Sequence, residues 1–160
     1  MNPKGKFYIT RQLEFAAAHR LYREDLTEAQ NLEVFGQCAN PFGHGHNYIL
    51  ECTFQGLRQS ETGMVVHFER LKRILRELVI VPLDHRNLNH DVPFMKGVLP
   101  TSENLIAKLW EILFEATQSE PYQLYKLRLA STARNWVEYY GPEGAPLSPL
   151  TLSSEGTPSP

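Results

Sequence analysis

Residues 44–54, HGHNYILECTF, alternate with one exception, the apolar Ile49. His44, His46, Tyr48, Leu50, Cys52 and Phe54 fall on one face, and Asn47, Ile49, Glu51 and Thr53 on the other. A period of two held this long is a strand with one buried face. An apolar face of that size has to be covered by a second layer, so the chain is expected to be a layered, sheet-containing domain. The same strand opens with two histidines two residues apart, which project from one face.

The neighbouring segments extend the pattern. KFYITRQLEFAAAH reads as a strand whose apolar row Leu13, Phe15, Ala17 ends in His19. EDLTEAQNLEVFG is expected to be a short helix closed by Gly36. RQSETG is a turn, and MVVHF extends or pairs with the strand before it. Leu71, Ile74, Leu75 and Leu78 fall at helical spacing, with Pro82 as the stop. LDHRNLNHDVP is a polar loop. Pro100, Thr101 and Ser102 announce a second long helix, with Leu105, Leu109, Ile112, Leu113 and Ala116 as its buried stripe. LYKLRLAST and NWVEYYG are two closing strands. The order strand, strand, helix, helix, strand, strand predicts an α+β domain: an antiparallel sheet with both long helices on one face. Its other face must then meet water or another subunit. Residues 1–141 form the domain, and 142–160, rich in Pro and Ser, read as a tail.

Bulk properties exclude several classes. A net charge of −2 offers no electrostatic attraction to nucleic acid or to an anionic membrane. No apolar run approaches the roughly 20 residues that span a bilayer, and the N-terminus lacks a signal-peptide core. Cys38 and Cys52 do not make a disulfide framework, so a cytoplasmic, reducing setting is expected.

If the first two strands are antiparallel neighbours, His19 at the end of one lies beside His44 and His46 at the start of the other. Three neutral imidazoles with a free fourth position are the donor set of an open zinc site. Cys38, six residues before His44 in a polar, turn-rich loop, has two active readings: a fourth ligand that closes the site, or a base whose pKa a nearby cation lowers. Cys52 reads as an apolar filler. Asp84 beside His85 is either a proton relay, with the carboxylate fixing the imidazole tautomer, or a capped turn. His67 and His90 have no partner pattern.

The segments FAAAHRL, CANPFGHGHNY, GMVVHFERLK, PLDHRNLN and PTSEN, in this order and spacing, resemble the 6-pyruvoyl-tetrahydropterin synthase family. The likeness runs from about Phe7 to Gly141. It is nearer to the pyruvoyl synthases than to the related 6-carboxy-tetrahydropterin synthases of queuosine biosynthesis. The resemblance implies the tunnelling fold, a four-stranded antiparallel sheet with two helices on one face. It also implies trimers closed as barrels and stacked in pairs as a homo-hexamer. It implies conversion of 7,8-dihydroneopterin triphosphate to 6-pyruvoyl-tetrahydropterin with loss of triphosphate. It places zinc on His19, His44 and His46 and proton abstraction on Cys38. The relay pair is Asp84 and His85, reaching the pocket from a neighbouring subunit, and Thr101, Ser102 and Glu103 lie near the pterin.

One position departs from the family pattern. Aligned on Leu127, Leu129 and Thr132, the chain has Ser131 where the family has the glutamate that accepts hydrogen bonds from the pterin. Hydrogen bonds to a charged group are worth about 1.5–3 kcal/mol each. Two lost and partly replaced cost roughly 2–4 kcal/mol, or about 30- to 1000-fold in binding. Three explanations follow: another carboxylate such as Glu103 takes over, the substrate differs, or the chain is a weakly active pterin- or purine-binding relative. His67 also departs, at a position that reads as structural.

Overall fold

The computed structural model describes residues 5–144. Of the expected tail, 145–160 lie outside the described residues. In chain order the elements are β1 (Phe7–His19), α1 (Glu28–Phe35), β2 (His44–Gly56), α2 (Phe68–Leu75), α3 (Val81–Leu83), β3 (Arg86–Asn87), α4 (Ser102–Thr117), β4 (Tyr122–Thr132) and β5 (Asn135–Tyr139).

β1 and β2 are antiparallel and in register along their whole length, from Phe7 opposite Gly56 to His19 opposite His44. β4 pairs with the other side of β2, and β5 with β4, both antiparallel. The expected four-stranded antiparallel sheet is thus present, with one addition. β3 pairs parallel to β1 at Ala17 and Ala18, giving the order β3-β1-β2-β4-β5. This two-residue strand comes from the segment read as a polar loop. His85 N–H donates to Ala16 C=O at 2.6 Å and Leu88 N–H to Ala18 C=O at 2.8 Å. A strand that short carries no alternation for a sequence reading to detect.

One core joins the sheet to the helices. Phe15, Tyr48, Leu50, Cys52, Phe54, Leu127 and Leu129 pack with Leu71 and Leu75 of α2 and with Leu105, Leu109 and Leu113 of α4. Leu50 and Leu127 are fully buried, and truncating either to Ala removes about 2–5 kcal/mol. Cys52 is also fully buried, the inert filler expected of it, and burial pushes its thiol pKa up.

Three expected details are corrected. MVVHF is no strand: Val65 and Val66 are buried, but Met64 closes a turn by accepting from Gln59 N–H at 2.9 Å, and α2 begins at Phe68. Pro82 does not end the helical run. A wide turn over Arg76–Ile80 lies between α2 and α3. Pro82 follows this widened stretch, and the helical run ends one residue later at Leu83. The stripe of α4 is rotated. Ile106, Trp110 and Thr117 are buried, while Ile112 is half-buried and Ala116 exposed, because Trp110 packs edge-on against Tyr139 of β5 at 5.5 Å.

α1 has the expected start and stop. Thr27 and Gln30 form a reciprocal capping box and Gly36 closes the helix. Its one buried residue is polar. The Asn31 amide donates to the carbonyls of Arg23, Leu26 and Thr27 and accepts from Arg23 N–H. The helix-free sheet face is polar, with Thr10 bonded to Thr53 at 2.8 Å, Glu51 paired with Arg128 at 3.0 Å, and Lys126 with Glu138 at 3.2 Å. Among the described residues, no helix is long and apolar enough to cross a membrane.

Candidate active site

The strand register decides the geometry of the histidines. His19 is the last residue of β1 and stands directly opposite His44, with Ala17 opposite His46. All three imidazoles point to the helix side of the sheet. His44 Nε2 lies 3.2 Å from His19 Nε2 and 2.9 Å from His46 Nε2. Two glycines permit the approach. A Cβ on Gly43, whose φ is +68°, would come 2.7 Å from the His19 carbonyl oxygen, and one on Gly45 would come 3.3 Å from that of Ala17.

The orientation of His19 is held from outside the sheet. Its Nδ1–H donates to the Pro100 carbonyl at 2.8 Å, just before α4. That bond fixes the tautomer and leaves the Nε2 lone pair aimed at the other two rings. Burial lowers the pKa of His19 and of His46, so both favour the neutral, ligating form. Tyr48 forms the floor, edge-on to His46 at 5.4 Å and stacked on Phe15. The three histidines could hold a metal ion. In a tetrahedral site with metal–nitrogen bonds of about 2.0–2.1 Å, ligand nitrogens stand about 3.3 Å apart. The separations of 3.2 and 2.9 Å lie near that value, and the three ligand nitrogens all fall within 4.8 Å of one another.

Cys38 sits in a short 3-10 turn, Gly36–Ala39, with its Sγ 3.9 Å from His44 Nε2. Its carbonyl accepts from Leu21 N–H at 2.8 Å, which ties this turn to the chain leaving β1. The same segment is clamped by Asn89, whose amide accepts from Arg20 N–H and donates to Arg20 C=O. This positioning residue has no sequence signature beyond a place in a polar loop.

His19, His46 and Cys38 line a cleft of about 380 Å³. The structure brings Thr101, Ser102, Glu103 and Ser131 to the same cleft. Ser131 gets there because it follows Leu127 and Leu129 on the core face of β4. Thr101, Ser102 and Glu103 get there because α4 starts beside His19. Trp136, Asn135 and Thr132 also line it and were missed. Only the β4–β5 turn, which pairs Thr132 with Asn135, folds them over the cleft.

Asp84 and His85 are placed elsewhere. Asp84 Oδ1 accepts from Ala16 N–H at 2.9 Å and Oδ2 pairs with His85 Nδ1 at 2.9 Å. The Ala16 N–H and His85 together hold the Asp84 pKa below its ordinary value. His85 adopts φ +57°, and its side chain is 83% exposed. It lines a shallow groove with Ala16, Ala18, Gly45 and Asn47, and His46 borders both that groove and the cleft. Within one chain the pair is therefore formed but does not join Cys38.

The family model for 6-pyruvoyl tetrahydropterin synthase matches residues 8–142. The chain belongs to this family. A 6-pyruvoyl tetrahydrobiopterin synthase from Poecilia reticulata is 43% identical over 135 residues, 84% of this chain and 90% of the relative. The solved structure of the Caenorhabditis elegans 6-pyruvoyl tetrahydropterin synthase superposes with a TM-score of 0.80 at 38% identity, covering 88% of this chain and 99% of that one. A putative 6-carboxy-5,6,7,8-tetrahydropterin synthase from Archaeoglobus fulgidus is 34% identical over 95 residues, 59% of this chain and 73% of the relative. Family membership, the α+β fold and the enzyme class all agree with the motifs quoted above.

Proposed function

We propose that the chain is a zinc-dependent lyase that converts 7,8-dihydroneopterin triphosphate to 6-pyruvoyl-tetrahydropterin with elimination of triphosphate. The observation that carries this reading is the convergence of His19, His44 and His46 beside Cys38, with His19, His46 and Cys38 lining one cleft. A zinc ion held by the three histidines would act as a Lewis acid on the side-chain oxygens of the substrate.

The chain's own groups have separate tasks. Cys38 takes a proton from the substrate side chain, near enough to the histidine group for a cation there to favour its thiolate. The Pro100 carbonyl keeps His19 in the ligating tautomer. Thr101, Ser102, Glu103 and Ser131 contact the pterin ring. Asp84 orients His85, and the pair serves the cleft of a neighbouring copy as a proton relay. Each copy then completes another's site. This agrees with the exposure of His85 and with the open outer side of β1 from Phe7 to Phe15 among the described residues. The assembly is a homo-hexamer of two stacked trimers, working in the cytoplasm. Residues 1–141 are the catalytic unit and 142–160 a tail.

A second reading rests on Ser131. Among the described residues lining the cleft, Glu103 is the only carboxylate, so a pterin has one charged acceptor there. That favours a relative with altered substrate or lowered activity. A 6-carboxy-tetrahydropterin synthase is the remaining alternative, and the shorter span shared with the carboxy relative weighs against it.

The deciding experiment incubates zinc-loaded protein with 7,8-dihydroneopterin triphosphate, measures triphosphate release and identifies the pterin by mass. The pyruvoyl product is expected. A carboxy product assigns the alternative reaction, and no triphosphate release assigns the binding homologue.

A further inference from the structure

The turn that carries Cys38 has little to hold it in place by itself. Gly36–Ala39 is a single 3-10 turn with no side-chain cap at its start. Gln37 C=O is closed locally by Asn40 N–H at 3.2 Å. Closing the carbonyls of Cys38 and Ala39 in the same way would need N–H groups from residues 41 and 42. Pro41 has none, and Phe42 N–H goes to Asn40 Oδ1 at 3.2 Å. One distant segment, the two residues that follow His19, takes both carbonyls instead. Leu21 N–H donates to Cys38 C=O at 2.8 Å, and Arg20 Nε–H donates to Ala39 C=O at 3.0 Å.

Arg20 is itself fixed from several sides. Its backbone N–H and C=O are both bonded to the Asn89 amide, at 2.8 and 2.9 Å. Its guanidinium lies 4.0 Å over the Tyr22 ring, and a terminal nitrogen reaches Glu28 of α1 at 3.3 Å. The side chain is only 23% exposed. A planar fork can face Ala39, Glu28 and Tyr22 at once, which a lysine ammonium cannot do. Arg20 does not line the cleft, so any effect it has on the reaction passes through the residues it holds.

We propose that Arg20 is the positioning residue for Cys38. Its guanidinium ties the open end of the 36–39 turn to the segment that leaves β1 at His19, and so sets the distance between the thiol and the histidine group. This role presupposes the proton abstraction by Cys38 proposed above. A reacting group displaced by about 1 Å can lose about 100-fold in rate, so one bond to a backbone carbonyl is enough to matter.

The test assays the zinc-loaded full chain with 7,8-dihydroneopterin triphosphate as wild type, Arg20→Met, Cys38→Ala and the double variant. Arg20→Met is expected to keep stoichiometric metal and to lower kcat about 10- to 100-fold with KM little changed. In the Cys38→Ala background the same substitution is expected to change kcat by less than about twofold, because the group it positions is gone. Arg20→Lys keeps the charge and most of the stem, and is expected to fall with Arg20→Met. Full activity in Arg20→Lys overturns the proposal, as does a kcat loss that persists without Cys38. A second readout needs no turnover. In metal-free protein, iodoacetamide is expected to alkylate Cys38 about fivefold faster or more in both Arg20 variants than in wild type. Fully buried Cys52 stays unmodified and serves as the control for the fold. Where Arg20→Met exposes Cys52, Arg20→Lys decides. Equal alkylation rates overturn the proposal. A wild type that releases no triphosphate overturns the pterin reading instead, and the alkylation rates then decide alone whether Arg20 holds the turn.

Discussion

Cys38 and Ser131 face the same cleft and carry opposite lessons. Cys38 lies 3.9 Å from His44 Nε2, close enough to feel a cation there, and is not one of the three converged histidine ligands. Cys38→Ala is therefore expected to keep stoichiometric metal by elemental analysis while kcat falls by about 100-fold or more, the scale of a lost general base. Metal lost with the thiol would make Cys38 a ligand and the site a closed one. Ser131 stands on the wall where a second charged acceptor is missing. Ser131→Glu is expected to tighten pterin binding about tenfold or more, read by equilibrium titration. If Glu103 already pairs with the ring, the two carboxylates repel, one takes up a proton, and affinity stays flat or falls. The histidines were legible at this scale because strand alternation fixes the face of each. Asn89 and the Pro100 carbonyl, which hold that geometry, were not. Nothing local marks a loop amide or a backbone oxygen as a clamp.

α4 couples the fold to the site through its first turn. Thr101 caps the helix by accepting from Asn104 N–H at 3.2 Å, and the preceding carbonyl, Pro100, orients His19. Thr101→Ala removes a cap worth about 1 kcal/mol. In a chain of this size that lowers Tm by about 2–4 °C. It should also loosen Pro100 and weaken metal affinity in a competition titration with a chelator. A fall in Tm with unchanged metal affinity would show that Pro100 is held by something other than the cap. Helix starts were readable because capping is chemistry between residues three apart. The passage of the helical run through Pro82 was not, since a widened turn is a tertiary accommodation. The same holds for β3, whose pairing partner lies roughly seventy residues away in the chain.

The whole molecule leaves surfaces that one copy cannot use. β1 is open along Phe7 to Phe15, and β5 forms the other edge. Phe42 is 98% exposed, with Leu32 and Val34 also exposed. Asp84 and His85 are assembled as a pair on a groove away from Cys38. Light scattering is expected to report six times the 18.4 kDa chain mass. Mixing and reassembling two inactive variants, Cys38→Ala and His85→Ala, should recover part of the activity, because some sites then receive both intact groups. A monomer at micromolar concentration, or no recovery after mixing, would remove the shared site.

Alternation by itself settled the two long strands, the face that carries His19, His44 and His46, and the burial of Cys52, because a period of two assigns each side chain to a face without knowledge of its partners. The two helices on that face followed from apolar spacing and capping residues. The order of the strands, the 3 Å approach of the imidazoles, the rotation of α4 toward Trp110 and the separation of Asp84 and His85 from Cys38 belong to the tertiary structure. Each depends on a contact between residues distant in the chain, and no local pattern encodes the register or the angle at which such residues meet.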